Sequence, residues 1–119
     1  MAFGYYVVEL DVKHPEMMPR YRELVGPTLA TFEGEVLAAS ENITHLQGEP
    51  APLSRAVIIR FPSTEQALAW FRSDDYAEAL SIREKACISR SYVVEGLGST
   101  LSSGAFPSSS RSKVTTPLP

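Results

Sequence analysis

This sequence of 119 residues is poor in thiols, in histidine and in positive charge. Its single cysteine, Cys87, excludes an internal disulfide, and a reducing, cytoplasmic setting is the expectation. Two histidines and one cysteine, far apart and without ligand spacing, make no metal constellation; neither metal nor cofactor is expected. Lys and Arg number 11 against 14 Asp and Glu, a net charge of -3, so the basic surplus of a nucleic-acid binder is missing. No apolar run approaches the roughly 20 residues that span a bilayer. The opening MAFGYYVVELDVKHP has no basic flank and reaches Glu9 early, so neither a membrane segment nor a signal peptide is expected. The sequon at Asn42 is incidental on the same reading. GLGSTLSSG follows the last predicted strand and opens no helix, which excludes a phosphate loop, and SRAVIIRF lacks the aromatic signature of RNA-binding sheets.

What is present is a periodic chain of ordinary globular composition, 44% hydrophobic and 21% charged. YYVVELDV at residues 5–12 alternates and is rich in β-branched and aromatic residues, as a strand is. In the next segment Met17, Tyr21, Leu24, Val25, Thr28 and Phe32 share a helical face. Pro19 delays its regular winding, Pro27 removes one helical hydrogen bond, and Gly34 marks its end. EVLAAS and ITHLQG read as one interrupted strand, and RAVIIRF as a third. Ser63 and Gln66 stand in capping-box spacing before a helix that breaks near Ser73 and resumes through DDYAEALSIREKACIS. SYVVEGLG is the last strand. The order β-α-β-β-α-β predicts an α+β, ferredoxin-like fold: a four-stranded antiparallel sheet with two helices on one face. Residues 1–97 form this domain. Residues 98–119, rich in Ser, Thr and Pro, form a flexible tail.

Strand parity gives the sheet two faces. Tyr6, Val8, Leu10 and Val12 oppose Tyr5, Val7, Glu9 and Asp11; Val57, Ile59 and Phe61 oppose Ala56, Ile58 and Arg60; Tyr92 and Val94 oppose Val93 and Glu95. The purely apolar sets are expected under the helices. The mixed face is too apolar to stay wet, so a homodimer with sheets packed face to face is expected.

Several segments, YVVELDVKHPEMMPRYRELVGPTLATFEGEVL, LQGEPAP, AVIIRFPSTEQALAWFRSDDYAEALSIREKA and VVEGL, resemble the domain-of-unknown-function family 1330 of the dimeric α+β barrel superfamily. RFPSTEQALAWFRSDDYAEAL carries most of the resemblance, which covers about residues 4–97. The chain departs from the family's habit at Glu33-Gly34, where Gly-Gly is common, at Arg60, where many members are acidic, and at His45, where an aliphatic residue is common. The resemblance implies a dimeric barrel with a small-molecule ligand between sheet and helices or within the barrel. Relatives in the superfamily include lactone isomerases, polyketide cyclases, cofactor-free oxygenases and haem enzymes, and fold does not choose among them. Haem would need an axial ligand, and only His45 is a candidate.

The residues able to carry chemistry are few. His45, inside a predicted strand, is a candidate general acid or base or a half-exposed strand residue. Glu9 and Arg60, on one face of adjacent strands, either form an ion pair or supply a proton acceptor and an anion anchor. Tyr5 and Glu95 share their face. Arg83 lies on the apolar stripe of YAEALSIREKAC with Tyr76, Leu80 and Cys87. It can snorkel to water, pair with Glu23, or anchor an anion at a pocket mouth beside Tyr76 and Tyr21. Full burial without a partner costs several kcal/mol and is set aside. Two functions follow. One is a small cofactor-independent enzyme moving protons on a carbonyl-bearing or aromatic metabolite. The other is a non-catalytic ligand-binding or assembly module held by a structural Glu9–Arg60 pair.

Overall fold

The computed structural model describes residues 2–49 and 53–98. The predicted tail lies, apart from Gly98, outside these residues. β1 (Gly4–Val12), β2 (Glu35–Ser40), β3 (Arg55–Phe61) and β4 (Cys87–Glu95) form one antiparallel sheet in the order β2-β3-β1-β4. A 3-10 turn at Pro15–Met17 leads into α1 (Met18–Thr31); α2 (Thr64–Phe71) and α3 (Asp74–Ala86) join β3 to β4. This is the predicted βαββαβ order, with the second helix broken where Ser73 interrupts it.

Two serines start the two pieces. The Ser63 hydroxyl accepts the Gln66 N–H at 3.0 Å, and the Ser73 hydroxyl accepts the Tyr76 N–H at 3.1 Å, each satisfying a first-turn donor. The Gln66 side chain does not close the predicted box. It donates to the Phe32 carbonyl at 3.1 Å and so ties α2 to the end of α1. Pro19 sits in the first turn of α1, where its missing N–H has no helical partner to lose.

The core lies between the sheet and the helices. Tyr6, Val8 and Leu10 of β1 and Ile59 and Phe61 of β3 meet Ala67, Trp70, Tyr76, Ala79 and Ala86. Trp70 is the centre of it, with ring centroids 4.2 Å from Tyr76, 5.1 Å from Tyr6 and 5.2 Å from Phe61. Its indole N–H donates to the Thr28 hydroxyl at 2.9 Å, and Thr28 in turn donates to the Val25 carbonyl at 2.7 Å. A buried indole thus keeps its polar handle satisfied inside an apolar cluster.

Three expectations are corrected. Residues 43–48 form no strand: β2 ends at Ser40, and the segment after it is exposed, so the interrupted second strand is only its first half. The left-handed residue that ends α1 is Glu33, with φ 63°, not Gly34. The faces of β4 are the reverse of those predicted. Val93 pairs with Tyr6 and Cys87 with Val12 on the helix side, while Tyr92 and Val94 pair with Val7 and Tyr5 on the open side. Apolarity misled because β4 presents small residues, Ser89 and Ser91, to the helix layer and its large ones to the open face.

Candidate functional site

The site begins with the spacing of α3. Tyr76 and Arg83, seven residues apart, lie on one helical face, and the Ser73 cap aims that face at the sheet. Tyr6 projects from β1 and Tyr21 from α1 to meet it. Arg83 Nη1 donates to the Tyr6 hydroxyl at 2.8 Å and to the Tyr76 hydroxyl at 3.2 Å. The Tyr76 and Tyr21 hydroxyls are 2.9 Å apart.

Arg83 is only 4% exposed. It does not snorkel, and among the described residues no carboxylate pairs with it; Glu23, the expected partner, pairs with Arg20 at 3.1 Å instead. The case set aside on energetic grounds is therefore nearly the one observed. What makes it tolerable is a set of neutral phenols and the Tyr6 ring, whose centroid is 5.9 Å from the guanidinium carbon. Arg83 Nε remains buried with no acceptor among the described residues.

Charge accounting sharpens the point. Burial pushes the Tyr76 hydroxyl well above the usual phenol range, with the neighbouring Tyr21 adding to the shift. Burial also raises Tyr21, only partly offset by its bond to Tyr76 and by Arg83. Both stay protonated at neutral pH. Burial alone would lower the Arg83 guanidinium, but the phenol oxygens of Tyr76, Tyr6 and Tyr21 outweigh it and hold the group above its ordinary value. The cluster thus carries one positive charge and no negative one.

Arg83 forms part of the wall of a cavity of about 550 Å³ between the sheet and α1. Val8, Leu10, Val25, Leu29, Val57 and Ile59 make most of its surface apolar, while Arg22, Arg55 and Glu41 bring charge to it from less buried positions. The volume falls within the range of pockets that hold small molecules.

The other predicted site residues lie elsewhere. His45 is exposed in the segment after β2 and is not part of the cavity wall. Glu9 and Arg60 share the open face as predicted but do not pair. Arg60 opposes Tyr5 while Glu9 opposes Ala56, an offset of four residues or about 13 Å along the strands. Glu9 instead accepts from Arg90 at 2.8 Å, and Arg60 donates to Glu35 at 2.6 Å while lying over the Phe3 ring. Tyr5 is half-buried on that face, whereas Glu95, expected beside it, pairs with Gly4 and so falls on the helix side, exposed at the end of β4. Cys87 is buried, its thiol pushed up by burial, and its Sγ lies 3.8 Å from Met18 Sδ; it packs as a small apolar residue.

Three features escaped the sequence reading. By strand parity Tyr6 counts only as core, although a phenol at an inward strand position needs a hydrogen-bond partner. Glu41 and Arg55 carry no pattern of their own; only the pairing of β2 with β3 brings them to one cavity. Among the described residues no group of His, Cys, Asp or Glu is placed to hold a metal ion, and no helix is long and apolar enough to cross a membrane.

Comparison with known proteins agrees with this architecture. The sequence profile of a domain of unknown function (DUF1330) matches residues 3–97. The chain belongs to this family. No curated protein matches its sequence. Among solved structures, a protein of unknown function from Rhodopseudomonas palustris is similar at 16% identity with a TM-score of 0.65, covering 82% of this chain and 84% of that one. A protein from Bacteroides thetaiotaomicron, described as a possible oxidoreductase, is similar at 13% identity and TM-score 0.54, covering 79% and 97%. SnoaB, a cofactor-independent oxygenase from Streptomyces nogalater, is similar at 11% identity and TM-score 0.51, covering 83% and 97%. At such identities the likeness shows the fold alone. DUF1330 membership likewise places the chain without assigning it an activity.

Proposed function

We propose that this DUF1330 protein is a small cofactor-independent enzyme that moves a proton on a carbonyl-bearing or aromatic metabolite held between the sheet and α1. The observation that supports this reading is Arg83, a buried cation without a carboxylate of its own in the wall of an apolar cavity. Such a charge favours whatever state of the ligand is negative, whether the ligand arrives charged or becomes charged as a proton leaves carbon. Away from bulk water that attraction is stronger. Tyr21, kept protonated and part of the cavity wall, can donate a hydrogen bond to the same oxygen while its own oxygen accepts from Tyr76 behind it. Isomerisation, cyclisation and lactone opening all develop negative charge on oxygen and all suit this arrangement. That SnoaB does cofactor-independent oxygen chemistry on the same fold fits a cavity of this kind without selecting the reaction.

The proton acceptor in this reading is Glu41, the one carboxylate among the described cavity residues. His45 and Glu9, the groups first considered for that role, lie away from the cavity. The test is deuterium incorporation from D2O into cyclic 1,3-dicarbonyls, lactones and aryl ketones, followed by NMR. Wild type should exchange carbon-bound hydrogen faster than buffer, and Arg83→Met should not. An unchanged rate in Arg83→Met removes the arginine from the mechanism.

A second reading has one observation in its favour. None of the buried cavity residues is a carboxylate or an imidazole, and Glu41 is exposed. A binding module would need no better base. Arg83-dependent binding with no hydrogen exchange would establish it.

We further propose that the open face of the sheet is a homodimer surface. Ala38, Ile58, Val7 and Tyr92 lie in one row across all four strands, and Val94 and Ile88 extend it. Tyr92 is 50% exposed and Ile88 57%, and no described element covers them. A second copy of the same face, related by a twofold axis, would bury this row against itself. The Glu35–Arg60 and Glu9–Arg90 pairs flank the row on opposite sides.

A further inference from the structure

We propose that the ligand of the Arg83 cavity is a monocarboxylate with an apolar body, its carboxylate seated on the Nε/Nη2 edge of the guanidinium. This rests on the cavity being a ligand site, as proposed above, and adds the charge and head group of what fills it.

The donors of Arg83 are unevenly used. Nη1 serves both Tyr6 and Tyr76. Nε is buried and meets no acceptor, one of two such side-chain atoms among the described residues. An unmet donor on a charged group is costly to bury, so the edge that holds it is where an acceptor is missing. The Nε–H and the adjacent Nη2–H run parallel, at the spacing of the two oxygens of a carboxylate. A single carbonyl or phenol oxygen satisfies only one of them.

At the deep end of the cavity the charge to be matched is that of Arg83 alone, which suits an anion with one negative charge. The surrounding phenols are neutral acceptors and donors, and no acidic side chain among the described residues reaches the guanidinium. Arg22 and Arg55 line the same cavity, but from less buried positions and with Glu41 also present. A phosphate dianion would bring a second charge to a deep end that holds one cation. The walls set the rest of the molecule. Val8, Leu10, Val57 and Ile59 from the sheet and Val25 and Leu29 from α1 accept an aryl or alkyl body and offer it no hydrogen bonds.

The test uses the full chain, labelled with 15N, and four acids: benzoate, phenylacetate, 4-phenylbutyrate and octanoate. Each is paired with its primary amide, and inorganic phosphate is included. Binding is measured by calorimetry, and the Arg83 Nε–H resonance is identified by its absence in Arg83→Met. At least one acid should bind more than about tenfold tighter than its amide and should move that resonance. Arg83→Met should lose the preference, and Arg83→Lys, which keeps the charge but not the fork, should recover only part of it. The proposal is overturned if no acid binds, if acids and amides bind alike, if acid binding survives Arg83→Met, or if phosphate binds as tightly as the best acid. Equal binding of amides removes the carboxylate while leaving the cavity as a site. Tight, Arg83-dependent binding of an acid without hydrogen exchange leaves the carboxylate and removes the proton transfer.

Discussion

Arg83 Nη1 lies 2.8 Å from the Tyr6 hydroxyl and 3.2 Å from that of Tyr76, so a cation that is 4% exposed is held by neutral groups alone. One strand and one helix turn contribute those groups, and α1 adds Tyr21 behind them. The arrangement is costly for stability and is therefore informative. A structural arginine would be expected to bring a carboxylate with it.

Stability measurements on Arg83→Met follow from this. Where a buried ion pair is broken, the loss is about 3–5 kcal/mol, but where buried charge is replaced by an apolar chain of similar length the change is near zero or favourable. Here no charged partner is left behind, and only two phenols lose a donor. Urea denaturation should place Arg83→Met within about 1 kcal/mol of wild type, or above it. A loss of about 3 kcal/mol or more would mean that the arginine is a structural member of the core.

Alkaline stability reports on the phenols. Burial holds the Tyr21 and Tyr76 hydroxyls above the ordinary value of 10.0. The unfolded chain therefore releases these protons first as the pH rises. The stabilisation is complete below about pH 10 and is lost above it, by about 1.4 kcal/mol per pH unit for each group. Urea midpoints for wild type should stay level from pH 8 to about 10 and fall steeply above it. They should fall less for the double variant Tyr21→Phe, Tyr76→Phe. Equal slopes would show that neither phenol is perturbed by folding.

Much of this fold is legible in the sequence. Alternation in YYVVELDV and RAVIIRF places Tyr6, Val8, Leu10, Ile59 and Phe61 inward, and the serines at 63 and 73 mark the helix starts. Two kinds of information were out of reach. The face of β4 depends on pairing with β1, and its own residues point the wrong way because the open face is the more apolar one. The site depends on which charges meet. Arg83 stood out on its helical stripe, yet whether a carboxylate would reach it is a tertiary fact. Glu9 and Arg60 looked like partners until the register set them four residues apart.

Assembly is testable through the middle row of the open face. Val7→Glu places a charge beside Ile58 and Tyr92 without touching the helix-side core. Wild type should sediment as a dimer and the variant as a monomer with an unchanged circular dichroism spectrum. The dimer should be insensitive to Arg83→Met, which acts on the other side of the sheet. A variant that stays dimeric would place the interface off this face.

The end of α1 allows a prediction in which adjacent positions respond with opposite signs. The Gly34 N–H bonds the Leu29 carbonyl at 2.8 Å and the Glu33 N–H bonds that of Ala30 at 3.2 Å, the paired closure of a Schellman motif. The left-handed position of that motif, usually glycine, is filled by Glu33 at φ 63°. A residue with a Cβ costs about 1–2 kcal/mol in that conformation. Glycine removes that cost but gives back part of it through the freedom of the unfolded chain. Glu33→Gly should therefore gain about 1 kcal/mol. Gly34 has a different task. A Cβ there would stand 2.8 Å from the ring of Phe61, which is fully buried and cannot swing aside, and 3.0 Å from Leu29. Gly34→Ala should lose about 1–3 kcal/mol through overpacking. Chemical denaturation of the two variants decides the matter. Two losses would mean that Glu33 has a side-chain role that its backbone strain conceals, and two gains would mean that the Phe61 contact is not tight.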